Sequence, residues 1–216
     1  MNMEKTTLED LKNALIFSAG RIVESEPMLT ELDTKIGDGD HGFAMKSGFE
    51  GVREMLGKKF FETSDMLLKE TGITLLKIMG GTSGVIFGTL FIGGLQKIAG
   101  KKEMTAEDWD AYLTGGKDAI ARRGKTSRGD KTMFDALAEA CDRFHLAASE
   151  KKPLEECFAS AAEGAEYGME QTKTMISRKG RSKHFGNSTM NYPDAGALST
   201  SIFFRGLSDY FNQSSR

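Results

Sequence analysis

Three aspartates occur within eight positions of the sequence, and glycines stand between and after them. Asp33, Asp38 and Asp40 belong to the stretch DTKIGDGDHG, which covers residues 33–42. A glycine in a helix interior costs about 1 kcal/mol relative to alanine, so this stretch is predicted to be a tight loop. Carboxylates gathered on so short a loop repel one another unless a cation neutralises them. Hard divalent cations, Mg²⁺ or Ca²⁺, prefer such oxygen ligands.

Two known motifs can be compared with this loop, and neither fits. Its glycines match the dinucleotide fingerprint G-x-G-x-x-G, but residues 32–36 contain charged side chains and no apolar run, so the buried strand that must precede the motif is missing. An EF-hand loop starting at Asp38 would need glycine and glutamate where Phe43 and Phe49 stand. Two interpretations stay open, a magnesium site for phosphate groups and a solvated acidic turn.

The bulk composition is that of an ordinary soluble protein. The 216 residues carry a net charge of −2, so no basic surface predicts a nucleic acid or an anionic membrane as partner. Cys141 and Cys157 form no C-x-x-C pattern and are predicted to be buried thiols of a reduced, cytoplasmic protein. We expect neither a signal peptide nor a transmembrane span, because acids interrupt the N-terminus and the longest apolar run, near residues 84–94, is short.

Apolar residues recur at helical spacing along most of the chain, and capping residues and glycines mark the segment ends. Eight helices are predicted, and they cover residues 7–27, 44–56, 65–79, 85–99, 105–124, 130 or 132 to 144, 153–176 and 198–210. The fourth also suits a strand, but no second strand is available to pair with it. The chain is therefore predicted to be all-α, a single domain over residues 1–216 with antiparallel packed helices.

The loops between these helices alternate in chemical character. In an up-and-down bundle every second loop lies at the same end, and the loops after the first, third, fifth and seventh helices are polar and rich in glycine. The other loops are short connectors. One end of the bundle is therefore predicted to carry the chemistry, and the acidic stretch would lie there with residues 80–84, 124–133 and 179–194.

Two of the polar loops suggest phosphate binding, and each also has a purely structural interpretation. Residues 80–84, GGTSG, offer backbone N–H groups and the hydroxyls of Thr82 and Ser83 to phosphate oxygens at a helix N-terminus. They would equally serve as a plain turn between helices. Residues 124–126 resemble the end of a P-loop, but Ala119 stands where the first glycine is required, so this is not a P-loop.

The last polar loop, residues 179–194, brings basic residues and an aspartate before the final helix. Arg181 and Lys183 are candidate contacts for a phosphate or a partner, whereas a helix cap alone would explain Asp194. His41 lies beside the acids, and the sequence offers no ordered nucleophile for a Ser/His/Asp triad.

Four motifs in this order resemble the nucleotide-binding DhaL (Dak2-type) subunit of dihydroxyacetone kinases. They are Asp33-x4-Asp38-Gly-Asp40-His41-Gly42, then Gly-Gly-Thr-Ser-Gly, then Gly-Asp-Lys-Thr-Met with Asp135, and then Asp194-x-Gly196. The resemblance spans nearly the whole chain. It implies an eight-helix barrel, with up-and-down helices and ADP or ATP bound at one end.

The resemblance also implies the site residues. Asp33, Asp38 and Asp40 would hold two Mg²⁺ ions that bridge the nucleotide phosphates. The phosphates would contact His41, Gly42, Phe43, Ala44, Thr82 and Ser83. The adenine pocket would be lined by Gly124 and Met133. The rest of the nucleotide shell would consist of Arg181, Asp194, Ala195 and Gly196.

One position departs from the pattern of the family. The family usually has Asp-Pro-Gly at the start of the last helix, whereas residues 194–196 are Asp-Ala-Gly here. We expect the helix to begin there all the same, because alanine is a good helix former. The loop before it would be less rigid than with proline.

The implied function is phosphoryl transfer, in which positioning and electrostatic cover of the transferred group do most of the work. No general base for a substrate hydroxyl is evident, and the resemblance implies that a DhaK-type partner subunit holds the ketose covalently on a histidine. Two donors stay open: ATP as a substrate, or bound ADP rephosphorylated by a phosphotransferase-system protein. Two other classes are a non-catalytic Mg-nucleotide binding or regulatory module and a structural bundle with solvated acidic loops.

Overall fold

The computed structural model describes residues 3–214, and this part of the chain forms nine α-helices and one two-stranded ribbon. The ribbon pairs β1 (Lys5–Thr6) with β2 (Met104–Thr105) in antiparallel register. The helices are α1 Leu8–Glu24, α2 Glu26–Ile36, α3 His41–Lys58, α4 Ser64–Met79, α5 Gly81–Ile92, α6 Ala106–Gly124, α7 Met133–Ser149, α8 Leu154–Gln171 and α9 Ala195–Ser214. Within residues 3–214, no helix combines the length and apolarity that crossing a lipid bilayer requires.

Eight of the helices close into a ring whose members run alternately up and down. Each of α3 to α8 packs against the next helix along the chain, α9 packs against α1, and α1 contacts α3. The shorter α2 packs on α3 and α9 at one end of the ring. The predicted all-α class with antiparallel helices is confirmed.

The alternation separates the connecting loops into two groups. We call one end of the ring the mouth, where residues 37–40, 80, 125–132 and 172–194 connect the helices. We call the other end the base, where residues 59–63, 93–105 and 150–153 do so. The mouth contains the polar, glycine-rich loops, so the predicted chemical difference between the two ends is confirmed.

The eight predicted helices do not include α2. This helix was not predicted because the acidic stretch was expected to be a loop from Asp33 onward. Pro27 does not end the helical region; it lies in the first turn of α2, where its missing N–H leaves no helical bond unmade. Buried leucines and Ile36 share one face of α2 and continue the helix to that residue. The loop itself covers only residues 37–40, and Asp33 lies on a helix.

The fourth predicted helix begins and ends earlier than expected. It starts at Gly81 instead of residue 85, because Gly80 and Gly81 have φ of +62° and +53° and turn the chain directly into α5. It ends at Ile92, after which the chain passes very close to α6. A Cβ on Gly94 would lie 2.0 Å from the carbonyl oxygen of Tyr112. The seventh predicted helix also ends early, at Gln171.

Aromatic side chains fill the ring near the base. The rings of Phe158 and Phe211 stack with centroids 4.4 Å apart, and Trp109 meets Phe158 edge-on at 5.1 Å. Contacts of this kind add stability beyond the area they bury. The indole N–H of Trp109 donates to the hydroxyl of Thr6 at 2.9 Å, which ties the ribbon to α6. The base is thus packed with side chains, and the open space lies at the mouth.

Candidate nucleotide site

A cavity opens between the helices at the mouth, and four helices begin on its wall. The residues at these starts are Asp40 and His41 of α3, Thr82 and Ser83 of α5, Thr132 and Met133 of α7, and Asp194, Ala195 and Gly196 of α9. A helix N-terminus carries free N–H groups and a partial positive charge. The N-termini of α3 and α5 have neither a side-chain cap from the described residues nor an acid in the first turn, which provides a setting for an anionic ligand.

One wall of the cavity carries the three aspartates. Asp33, Asp38 and Asp40 each offer a carboxylate oxygen, and these atoms lie within 4.8 Å of one another. Asp33 is only 7% exposed, and its carboxylate accepts the backbone N–H of His41 at 3.2 Å. The other two are exposed. Three oxygen donors at this spacing fit a hard divalent cation.

Two glycines make this approach of the carboxylates possible. A Cβ on Gly37 would lie 2.1 Å from Oδ1 of Asp33, so any other residue there would displace the carboxylate. Gly39 has φ +77°, in the left-handed region that favours glycine. The chain can therefore reverse between α2 and α3 and bring Asp38 and Asp40 back beside Asp33.

Arg181 lies across the acidic wall. Its guanidinium pairs with Asp38, and one of its nitrogens lies 3.8 Å from a carboxylate oxygen of Asp40. The side chain is 70% exposed, so water screens these pairs. Arg181 therefore faces the predicted metal ligands across the mouth and offsets part of their mutual repulsion.

His41 connects three of the helices that begin at the cavity. Its Nδ1 lies 3.3 Å from the hydroxyl of Ser83 on α5, and its Nε2 lies 3.0 Å from the hydroxyl of Ser199 on α9. Burial lowers the pKa of His41 to about 4, although the nearby Asp33 acts in the opposite direction. The ring is therefore neutral at physiological pH and holds the starts of α3 and α5 in place.

Another part of the cavity wall is apolar. It is formed by α5, α6 and α7, and its side chains are Ile86, Phe87, Ile120 and Met133, with Gly124 beside them. Ligand sites commonly combine such an apolar surface with a few convergent polar groups. This cavity can therefore accept a ligand with an apolar ring at one end and an anionic group at the other.

Asp194 fixes the start of α9 at the cavity wall. Its carboxylate accepts the backbone N–H of Ala197 at 2.8 Å, and its own N–H donates to the hydroxyl of Thr172 at 2.9 Å. Burial raises the pKa of Asp194 to about 7, and the negative charge of Asp135 adds to the effect. The helix begins at Ala195, so the expectation that it would form without proline is confirmed.

Comparison with known proteins places this fold in a family. A match to the DAK2 domain covers residues 35–209. The chain belongs to the DAK2 domain family. The DAK2 assignment confirms the resemblance drawn from the four motifs.

Individual relatives support the same assignment. The chain is 36% identical over 181 residues to the PEP-dependent dihydroxyacetone kinase, ADP-binding subunit DhaL, of Escherichia coli K12, which covers 84% of this chain and 85% of the relative. It is 32% identical over 184 residues to the ADP-binding subunit DhaL of PEP-dependent dihydroxyacetone kinase 2 of Listeria innocua, with coverage of 84% and 85%.

A solved structure shares the fold of this DAK2 chain. The dihydroxyacetone kinase of C. freundii, in complex with AMP-PNP and Mg²⁺, superposes with a TM-score of 0.73 at 24% identity. The superposition covers 92% of this chain and 33% of that protein, so the DAK2 chain spans about a third of the kinase.

Most of the predicted site residues of the DAK2 chain line the cavity, and three do not. The three are Gly42, Phe43 and Ala44, in the first turn of α3. Gly42 faces α2, where a Cβ would lie 2.1 Å from the hydroxyl oxygen of Thr30, and the side chain of Phe43 is 59% exposed. The N–H of Ala44 donates to the carbonyl of Asp40 within the helix at 3.0 Å. Only His41 of the predicted group 41–44 lies on the cavity wall.

Sequence reasoning did not assign several residues that line the cavity. The apolar ones among them, such as Ile86 and Ile120, follow ordinary helical spacing and carry no signal that separates a cavity wall from a core. Lys131 stood inside a motif, but its charge suggested a surface turn, whereas it is 1% exposed. The unassigned lining residues are Ile86, Phe87, Ile120, Thr126, Lys131, Thr132, Lys179, Gly180 and Ser182.

Proposed function

We propose that this DAK2 chain is the Mg-dependent, ADP- or ATP-binding subunit of a two-component dihydroxyacetone-type kinase. One observation carries the proposal: three clustered carboxylates and the uncapped starts of α3 and α5 lie at one cavity that also has an apolar wall. A metal-bound nucleoside polyphosphate fits each part of this cavity. Its phosphates suit the helix N-termini, its metal suits the carboxylates, and its base suits the apolar wall.

The residues divide this work between them. Asp33, Asp38 and Asp40 would hold the metal, and we propose two Mg²⁺ ions as in the family resemblance. Bound Mg²⁺ would neutralise phosphate oxygens in phosphoryl transfer. Backbone N–H groups and hydroxyls of Thr82 and Ser83 hold the phosphates at the start of α5. The remaining polar contacts come from Arg181 and the start of α9, and the adenine packs beside Gly124 and Met133.

The two-component arrangement is supported by the length of the match and by the chemistry of the cavity. The relatives matched over 85% of their length are named as subunits, whereas the chain covers 33% of the C. freundii kinase. A general base for a ketose hydroxyl needs a free titratable group within reach. His41 contacts hydroxyls through both ring nitrogens, and Asp194 caps a helix. We therefore propose that a DhaK-type partner subunit supplies the substrate site.

The phosphoryl donor and the cellular compartment follow from the same relatives and from the cysteines. Both DhaL relatives are named PEP-dependent and ADP-binding. We therefore favour bound ADP that is rephosphorylated by a protein of the phosphotransferase system over ATP that is exchanged in each turnover. Cys141 and Cys157 are buried, unpaired thiols, which supports a location in the reducing cytoplasm.

Calorimetric titration with ADP tests the nucleotide and metal assignment. In the presence of Mg²⁺ we expect binding in the micromolar range or tighter, which corresponds to about 8 kcal/mol or more. After chelation of divalent cations the affinity should fall by at least roughly a hundredfold, because the aspartates then repel the phosphates. Equal affinity with and without Mg²⁺ would reject the metal site.

A turnover assay distinguishes the kinase subunit from its rival, a non-catalytic Mg-nucleotide binding module of the same fold. The chain is loaded with Mg-ADP and mixed with a DhaK-type subunit that carries dihydroxyacetone, and either ATP or a phosphorylated phosphotransferase-system protein is added. Phosphorylation of the ketose with only the phosphoprotein supports the proposed donor. Intact Mg-ADP binding without turnover by either donor would assign the chain to the non-catalytic class.

A further inference from the structure

Lys131 is a buried lysine at the mouth, and its ammonium group is surrounded by backbone carbonyls. The residue is 1% exposed. Its Nζ donates to the carbonyl oxygens of Thr172 at 2.6 Å, Thr189 at 2.8 Å and Tyr192 at 2.7 Å. A lysine ammonium has three N–H donors, so these three acceptors use all of them. A buried charge is tolerated when its hydrogen bonds are made in this way.

All three carbonyls belong to one segment, residues 172–194, which we call the mouth loop. Its regular structure is limited to short 3-10 turns, and a segment of this length without longer elements needs other contacts to hold one conformation. It carries Arg181, which faces the aspartates, and it ends at Asp194, which starts α9. The ammonium of Lys131 joins the beginning of the loop to its end.

The backbone around Lys131 directs its side chain under the mouth loop. Lys131 has φ +58°, a left-handed conformation that is uncommon for a residue with a side chain. The carboxylate of Asp135 fixes the backbone on both sides of Lys131, since it accepts the N–H of Gly129 at 2.6 Å and that of Thr132 at 2.8 Å. Such a conformation persists where the surroundings hold it. Glycine would adopt it more easily but would leave the three carbonyls without a donor.

We propose that Lys131 is a positioning residue that clamps the mouth loop and thereby sets the places of Arg181 and Asp194 at the cavity. Lys131 acts through the loop, because all its donors are used by loop carbonyls and none is left for a ligand. The consequence for Mg-ADP affinity rests on the proposed function, whereas the clamp itself does not. Loss of the ammonium should therefore loosen the loop and weaken nucleotide binding, with the helical ring intact.

The test compares Lys131→Met with Lys151→Met by hydrogen exchange and by Mg-ADP titration. Methionine replaces the aliphatic part of the side chain as far as Cε and removes the ammonium group with its charge and donors. Lys151 is a matched control, because it also has a left-handed backbone, φ +57°, but is exposed in the α7–α8 connection at the base. Lys131→Arg is the second variant, since a planar guanidinium keeps the charge but cannot direct three N–H groups from one nitrogen.

In Lys131→Met, amide exchange in residues 172–194 of the free protein should rise by at least about tenfold. A hydrogen bond to a charged group is worth roughly that factor. Exchange in α1 and α4 should stay unchanged, and the Kd for Mg-ADP should rise by a similar factor. Lys131→Arg should give smaller changes in the same direction, and Lys151→Met should give none.

Three results would overturn the clamp or its consequence. Unchanged amide exchange of the mouth loop in Lys131→Met would reject the clamp. Loss of helicity throughout the variant would also reject it, because Lys131 would then stabilise the whole fold and not the mouth loop. A loosened loop with an unchanged Kd would reject the link to nucleotide binding. If the wild-type chain does not bind Mg-ADP, the proposed function fails, and the exchange measurement still decides on the clamp.

Discussion

The mouth and the base of the helical ring contain the same structural element, the helix N-terminus, but its charge is balanced differently. At the base, α1, α4, α6 and α8 all begin with an acidic residue in the first turn, and α1 and α6 have complete capping boxes. At the mouth, α3 and α5 have no acid in the first turn and no side-chain cap within the described part of the chain. Each helix start at the base is therefore balanced by an acid of the chain, whereas the starts of α3 and α5 at the mouth are left for an anionic ligand.

Left-handed backbone conformations are distributed in the same unequal way. Most residues with positive φ lie in the mouth loops, and they are Gly39, Gly80, Lys125, Gly129, Lys131, Gly180, Gly186 and Asn191, with Gly81 at the start of α5. At the base they are Gly100 and Lys151. Glycine adopts such a conformation readily, whereas the residues with a side chain keep it only where the surroundings hold them. The comparison indicates that the base stabilises the ring while the mouth is shaped for a ligand.

Removal of one carboxylate at the mouth should have the largest effect. Asp38→Asn removes a negative charge and a metal ligand, and we expect the affinity for Mg-ADP to fall by at least about a hundredfold. This loss should exceed the one caused by changing a residue that supports the metal ligands without binding the metal itself. The control is Asp118→Asn, the same chemical change at an exposed position of α6. Calorimetry measures the affinities, and circular dichroism should show unchanged helicity in both variants. Equal affinities in the two variants would remove Asp38 from the site.

A pair of glycine substitutions distinguishes the two ends more sharply. Gly37→Ala at the mouth places a Cβ 2.1 Å from Oδ1 of Asp33, so the carboxylate must move. The affinity for Mg-ADP should therefore fall by roughly tenfold. Gly57→Ala, near the base, meets nothing within 4 Å and lies in α3. It should raise the free energy of unfolding by about 0.5 kcal/mol. Chemical denaturation and ligand titration of both variants are needed, and a Gly37→Ala chain with wild-type affinity would contradict the close-approach argument.

Much of this contrast was predictable from the sequence, because it rests on local patterns. The aspartate spacing, the hydroxyls of Thr82 and Ser83 and the alternation of loops predicted the chemically active end. The sequence did not predict α2, since the acids and glycines of residues 33–42 outweighed its short apolar face. It also did not predict that Lys131 is buried, because the three carbonyls that accept its hydrogen bonds lie between 41 and 61 positions further along the chain. Such long-range contacts have no local signal.

A further prediction concerns the pH dependence of stability. Burial raises the pKa of Asp194 to about 7, above its ordinary value of 3.8, so the folded chain binds a proton there that the unfolded chain releases. This contribution to stability is present below about pH 4 and is lost as the pH rises to about 7. The stability of Asp194→Asn relative to the wild type should therefore increase over that window. Denaturation series without Mg²⁺ measure it, and a constant difference would mean that Asp194 is ionised throughout.

A crystal structure of the chain with Mg²⁺ and ADP tests the proposed site most directly. We expect metal within about 2.1 Å of oxygens from Asp33, Asp38 and Asp40, the usual distance for Mg²⁺. We expect the phosphates at the start of α5, beside Thr82 and Ser83. A nucleotide bound away from the mouth, or phosphates at the mouth without metal on these carboxylates, would rule the proposed site out.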